Sequence, residues 1–121
     1  MLKVITDGSG NGRCAFVVYD SQGNQIKSQV IVLGSCTNNV AEYQGLIHAL
    51  EYLWKHHRSE PALVISDSQL VVRQLLGQYQ VRAATLVPLH QRANSLLKVL
   101  PKVRIEWKDR SHVSVADNLM R

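Results

Sequence analysis

The chain has 121 residues, 45% of them hydrophobic, with 14 Lys and Arg against 9 Asp and Glu for a net charge of +5. That length and apolar content fit a single domain over 1–121 and exclude a disordered chain or a two-domain protein. Cys14 and Cys36 lie in no CxxC or Cys/His cluster, so a disulfide framework and a structural zinc are both disfavoured and reduced thiols in the cytoplasm are expected.

Leu2 to Thr6 reads as a short strand, followed by Asp7-Gly8-Ser9-Gly10-Asn11-Gly12, a loop with three glycines. Cys14 to Tyr19 is mostly apolar, Asp20 to Asn24 is turn chemistry, and Gln25 to Leu33 resumes a strand pattern. In that third strand Ile26, Val30 and Val32 share one face and Lys27, Gln29 and Ile31 the other. Two runs joined by a Gly/Asn turn make an antiparallel hairpin. From Val40 the period changes to helical, with Tyr43, Leu46, Ile47, Leu50, Leu53 and Trp54 on one stripe. Asn39 and Glu42 resemble a capping box at its start. Ala62 to Ile65 has the continuous apolar character of a strand buried on both faces. Asp67 is placed to cap a helix from Ser68 to about Leu76, ended by Gly77. A further helix is expected from Leu86 to Leu100, a strand through Val103, Ile105 and Trp107, and a short last helix from Ser114. The order is βββαβααβα: a three-strand antiparallel meander plus two parallel strands, flanked by helices on both sides. Strands one and four are expected to be parallel neighbours, joined by a right-handed crossover. No apolar run approaches the roughly 20 residues that span a bilayer, so no membrane partner is expected.

Four carboxylates stand out. Taken singly, each has an ordinary structural explanation: Asp7 in a turn, Glu42 in a capping box, Asp67 as an N-cap, Asp117 as a solvated helix residue. Taken together they converge. Asp7 and Asp67 would end two adjacent parallel strands at one edge of the sheet, where open α/β folds place ligands, with Glu42 in the first turn of the crossover helix. Clustered carboxylates repel unless cations are present. An all-oxygen set without Cys or His selects Mg²⁺ or Mn²⁺, and two such ions about 4 Å apart can clamp a phosphodiester.

The order Thr6-Asp7-Gly8-Ser9, Thr37-Asn38-Asn39-Val40-Ala41-Glu42-Tyr43, Ser66-Asp67-Ser68-Gln69 and Ala116-Asp117 resembles type 1 ribonuclease H over essentially the whole chain. The resemblance implies the ribonuclease H-like fold, a five-stranded mixed sheet, and an enzyme that cuts the RNA strand of an RNA–DNA hybrid. A monomer is expected, and the residues leave open whether it stands free or forms part of a larger protein. Ends of 5′-phosphate and 3′-hydroxyl type are implied with it. It implies two metal ions held by Asp7, Glu42, Asp67 and Asp117. Asp7 would bridge the two, Asp117 would sit on the ion that activates water, and Glu42 and Asp67 on the other. It assigns Thr37, Asn38, Asn39 and Gln69 to the backbone or minor groove of the hybrid, and Gly8, Ser9 and Gly10 to RNA sugars. Short polar groups can read the 2′-hydroxyl at such a groove; capping remains the other explanation for the two asparagines. The glycines match no P-loop, since no Gly-Lys-Ser/Thr follows.

The chain departs from the family pattern in three ways. Gly77 to Ala84 is too short for the basic protrusion of longer relatives, so a short form is expected, also without an N-terminal hybrid-binding domain. The basic excess lies in the second half: residues 1–60 carry five basic and five acidic side chains, and residues 61–121 nine and four. Lys98, Lys102, Arg82, Arg92 and Arg104 are candidates for a weaker electrostatic grip, against a merely solubilising surface. Finally, the loop histidine ahead of the last aspartate is missing and Val113 stands where relatives carry asparagine, leaving Arg110 or His112 as substitutes for phosphate contact and product release. Two readings stay open beside the nuclease. One is a non-catalytic hybrid- or RNA-binding module, or a ribonuclease H-like domain of a larger reverse-transcriptase-type protein. The other is an exonuclease or resolvase of the same superfold. Hybrid against double-stranded RNA, and Mg²⁺ against Mn²⁺, are undecided by the residues.

Overall fold

The computed structural model describes residues 1–121. The elements are β1 (Leu2–Ser9), β2 (Arg13–Tyr19), β3 (Gln25–Val32), α1 (Asn38–His56), β4 (Ala62–Ser66), α2 (Gln69–Leu75), α3 (Val87–Lys98), β5 (Val103–Trp107), a 3₁₀ turn (Arg110–Val113) and α4 (Ser114–Leu119). The sheet order is β3-β2-β1-β4-β5, with β1–β2 and β2–β3 antiparallel and β1–β4 and β4–β5 parallel. The expected βββαβααβα order and the parallel β1–β4 pair are therefore present, with the 3₁₀ turn added.

Strand alternation divides the interior into two layers. Leu2 and Val4 of β1, Phe16 and Val18 of β2 and Val64 of β4 pack under α1, α2 and α3 with Tyr43, Leu46, Leu50, Leu53, Val71 and Leu96. The intervening residues Ile5, Ala15, Val17 and Ile65 face the other way and are covered by Val113, Ala116 and Met120 around α4. Burying a side chain of Val or Met size stabilises by about 1.5–3 kcal/mol. Those few apolar anchors, with an Arg13 Nη1 hydrogen bond to the Met120 carbonyl (3.0 Å), fasten the C-terminal segment to the sheet.

The local details correct several expectations. The N-cap of α1 is Thr37, whose Oγ1 accepts from Val40 N (3.2 Å), so Asn39 forms no capping box and Glu42 lies beyond the first turn. The N-cap of α2 is Ser68, accepting from Val71 N, which leaves Asp67 free of that duty. Asp7 does not end its strand: Thr6↔Ser66 is the last β1–β4 pair, but β1 runs on against β2 through Asp7↔Ala15 to Ser9↔Arg13. Trp54 leaves the buried stripe of α1 and lies half-exposed under the Arg58 guanidinium, 4.0 Å from the ring centre. On β3 the more apolar face is the exposed one, since Ile26, Val30 and Val32 point to solvent and Ile31 packs on the core.

Candidate active site

Two glycines let the site assemble. A Cβ on Gly8 would stand 2.3 Å from the backbone of Ala41 and Glu42, and one on Gly45 would stand 2.8 Å from the Asp7 carbonyl oxygen. Strand β1 and helix α1 thus touch backbone to backbone, which places Glu42 directly over the Asp7 position. Sequence reasoning assigns Gly8 only to substrate and passes over Gly45; a glycine at an interior helix position costs stability, and that cost is the signal pointing to it.

Asp7 is buried at 4% exposure, Glu42 and Asp67 are partly buried, and a carboxylate oxygen from each lies within 4.8 Å of the others. They sit where the carboxyl ends of β1 and β4 meet the first turns of α1. The Gly8 N–H donates to Asp7 Oδ1 at 2.9 Å. Glu42 Oε1 and Asp67 Oδ1 are buried without any hydrogen-bond partner. Orphaned acceptors of this kind are costly in an interior, and a cation satisfies them. Burial, reinforced by Asp67 and opposed by the Gly8 N–H, pushes the Asp7 carboxyl up to about 7. Burial, reinforced by Asp67 and Asp7, pushes Glu42 up to about 10. Both shifts mean that the negative charge is held at a cost, as a hard divalent cation would relieve.

Asp117 on α4 lines the same cavity of about 350 Å³, whose ten lining residues include no hydrophobic one. Its carboxylate stands outside the tight triad and is engaged by Arg121 Nη2 at 2.9 Å. Gly8, Ser9, Asn38, Asn39 and Arg110 also line the cavity, together with Ser68, which sequence reasoning does not single out. Gly10 lies beside it, where an added Cβ would come 2.7 Å from Asn38 Oδ1. Thr37 is occupied as the cap, and Gln69 turns its carboxamide oxygen to the Arg73 guanidinium (2.9 Å to Nη2), so neither lines the cavity. Arg110 reaches Asp67 Oδ2 with Nε at 3.6 Å while remaining 83% exposed, a cation on the rim. His112 does not line the cavity and lies 4.0 Å from Asp109. Trp107 Nε1 donates to the Asp67 carbonyl oxygen at 3.1 Å, tying the end of β5 to the turn that presents Asp67. Of the five basic residues expected to grip a polyanion none lines the cavity; Arg92 pairs with Glu51 and Lys102 donates to the Ser59 carbonyl.

Residues 3–121 match the family model described as reverse transcriptase-like. The bifunctional protein Rv2228c of Mycobacterium tuberculosis is 39% identical over 98% of this chain, and the match covers 34% of that relative. The chain therefore spans about a third of the length of the curated relatives it matches. Among solved structures, LC11-RNase H1 in complex with an RNA/DNA hybrid superposes with a TM-score of 0.90 at 30% identity, covering 98% of this chain and 93% of that one. RNase H1 of the halophilic archaeon Halobacterium salinarum also gives 0.90, at 28% identity over 98% and 92% of the two chains. The N-terminal RNase H domain of Rv2228c gives 0.83 at 32% identity over 97% and 95%. The chain belongs to the reverse transcriptase-like family and has the ribonuclease H fold of the type 1 enzymes.

Proposed function

We propose that this protein is a metal-dependent endonuclease that hydrolyses the RNA strand of RNA–DNA hybrids, leaving 5′-phosphate and 3′-hydroxyl ends. One observation carries the reading: Asp7, Glu42 and Asp67 are crowded within 4.8 Å with two buried oxygens unpartnered, an arrangement that a bound cation satisfies. A module that only bound nucleic acid would gain nothing from clustered negative charge facing phosphates.

Asp7, Glu42 and Asp67, with Asp117 from across the cavity, would hold two Mg²⁺ or Mn²⁺ ions. Such ions, when bound, polarise the phosphodiester and neutralise charge on the attacking and leaving oxygens. The chain's own residues do the rest. The Gly8 N–H and the β1–α1 contact fix the Asp7 carboxylate before substrate arrives, so no reorganisation is needed at the moment of reaction. Gly8, Ser9, Asn38 and Asn39, on the cavity wall, present short polar groups to sugars and groove edges, with Gly10, Thr37 and Gln69 flanking them. Arg110 offers a guanidinium for the new phosphate through a charge-assisted hydrogen bond, which requires it to leave Asp67. Asp117 likewise has to exchange Arg121 for a cation. The reading carries with it a single ribonuclease H-like domain, supported by the one continuous sheet, and a monomer acting in the cytoplasm is proposed with it.

The test is cleavage of end-labelled RNA–DNA hybrid, double-stranded RNA and double-stranded DNA, with Mg²⁺, with Mn²⁺ and with chelator. Cleavage of the RNA strand of the hybrid in the presence of either ion supports the reading. Cleavage of double-stranded DNA in preference, or binding of hybrid without any cleavage, would replace it with one of the other two readings.

A further inference from the structure

The far edge of the sheet carries a surface that the nuclease reading does not use. Leu75 and Leu76 at the end of α2, Leu97 of α3, and Val103 and Ile105 of β5 line an open cavity of about 460 Å³, with Arg104 as its one polar wall. Leu76 is 53% exposed there. The cavity runs along a bare strand edge, because β5 pairs only with β4. The Ala62 N–H donates to the Lys102 carbonyl (3.2 Å) and the Lys108 N–H to the Ser66 carbonyl (3.1 Å), so the even-numbered residues of this segment turn their backbone groups toward β4. By strand alternation Ile105 and Trp107 turn theirs away from the sheet, where nothing receives them. Unpaired backbone groups beside apolar pockets are what an added strand requires.

Charge then selects the partner. The opposite face of β5 presents Arg104, Glu106 and Lys108 in a row, and Glu106 is already paired with Lys108 at 3.2 Å. Arg104 is left with no ion pair, and Lys98, next to Leu97, is exposed. No acidic side chain lines the cavity. We propose that β5 is a docking edge for an extended segment of a partner protein in which acidic and aliphatic residues alternate. Such a segment adds as a sixth strand, its aliphatic side chains entering the Leu75–Leu76–Leu97–Ile105 cavity and its carboxylates meeting Arg104. The apolar lining disfavours a nucleic acid at this position, since phosphates gain nothing there.

The probe is a fluorescein-labelled nonapeptide alternating Glu with Leu, measured by anisotropy against two controls, oligoglutamate and an alternating Lys/Leu peptide. The alternating Glu/Leu peptide is expected to bind at least tenfold more tightly than either control. Leu76→Asp, at a half-exposed position whose folding is checked by thermal melting, is expected to weaken binding at least tenfold, and Arg104→Glu to do the same. Hydrogen exchange at the Ile105 and Trp107 amides of the wild-type protein is expected to slow when the peptide is bound. Equal affinity for oligoglutamate would reduce the site to a general basic surface and overturn the proposal, as would binding that leaves the two amides unprotected. Concentration-dependent dimers abolished by Leu76→Asp would assign the edge to a second copy of this chain and overturn it as well.

Discussion

The two halves of the carboxylate site are built differently. Asp7, Glu42 and Asp67 come from a strand, a 19-residue helix and a strand end; backbone contact at Gly8 and Gly45 locks the first two together, and β1–β4 pairing through Thr6↔Ser66 holds the third. Asp117 and Arg110 come from a six-residue helix and a four-residue 3₁₀ turn, held by three buried apolar side chains and one Arg13 hydrogen bond. In the first half the negative charge is preorganised and strained; in the second the Asp117 carboxylate is parked in an ion pair with Arg121, while Arg110 reaches back to Asp67 from an exposed position. Exposed pairs of this kind contribute little to stability and exchange partners easily. The difference suggests a division of labour, with the rigid half setting the chemistry and the looser half admitting substrate and releasing product.

Substitutions at the tight contact should have the largest effect. Gly8→Ala puts a methyl group into the Ala41–Glu42 backbone, and overpacking at a site that cannot relax costs about 3 kcal/mol. Chemical denaturation should register that loss, and Ser111→Ala in the looser half should change stability by less than about 0.5 kcal/mol. Near-equal effects of the two would erase the contrast. Arg110→Ala should lower steady-state hybrid cleavage by about tenfold and leave single-turnover cleavage nearly unchanged, because the chemical step stays with the carboxylates. His112→Ala should do less, since His112 does not line the cavity. Equal losses in both regimes would move Arg110 into the chemical step.

The strain in the rigid half also has a pH signature. Asp7 and Glu42 have native values of about 7 and about 10, above the usual carboxylate range, so between about pH 4 and those values the native state holds more protons than the unfolded chain. Their contribution to stability therefore falls as pH rises, through both groups from about pH 4 to 7 and through Glu42 alone from there toward pH 10. The melting temperature should decline over that range, and Mg²⁺ should restore several degrees at pH 8 but little at pH 5. A Mg²⁺ effect independent of pH would separate the ion from these carboxyls. The smallest effect expected is that of Lys98→Ala with Lys102→Ala: a modest drop in hybrid affinity and a salt slope shallower by one to two, about one for each phosphate no longer neutralised. An unchanged slope would make the basic second half a solubilising surface.

The tight half is legible in the sequence because its parts obey strong local rules. Strand alternation in β1, β2 and β4 and the helical stripe of α1 determine which elements pack, and the spacing of Asp7, Glu42 and Asp67 then brings them to one edge. What stays hidden are choices between neighbours of similar chemistry. Thr37 and Ser68 cap the helices in place of Asn39 and Asp67, since a hydroxyl at either position competes on nearly equal terms with a polar residue one or two places away. The exposed face of β3 is ambiguous because Ile31 alone outweighs Lys27 and Gln29 in facing the core. Partners distant in sequence are invisible altogether. The Trp107 bond to the Asp67 carbonyl and the Arg13 bond to the Met120 carbonyl depend on where short C-terminal elements land, which no period encodes.

The central claim is that the crowded carboxylates exist to hold cations for cleavage, and Asp7→Asn tests it most directly. The substitution keeps the shape of the buried side chain while removing its charge, so the account predicts a protein that melts at the same or a higher temperature without metal. It should also lose nearly all of the Mg²⁺-induced rise in melting temperature at pH 8 and cut labelled RNA–DNA hybrid at least a thousandfold more slowly, a loss of about 4 kcal/mol of transition-state stabilisation. A folded Asp7→Asn protein that cleaves the hybrid at close to the wild-type rate would contradict it.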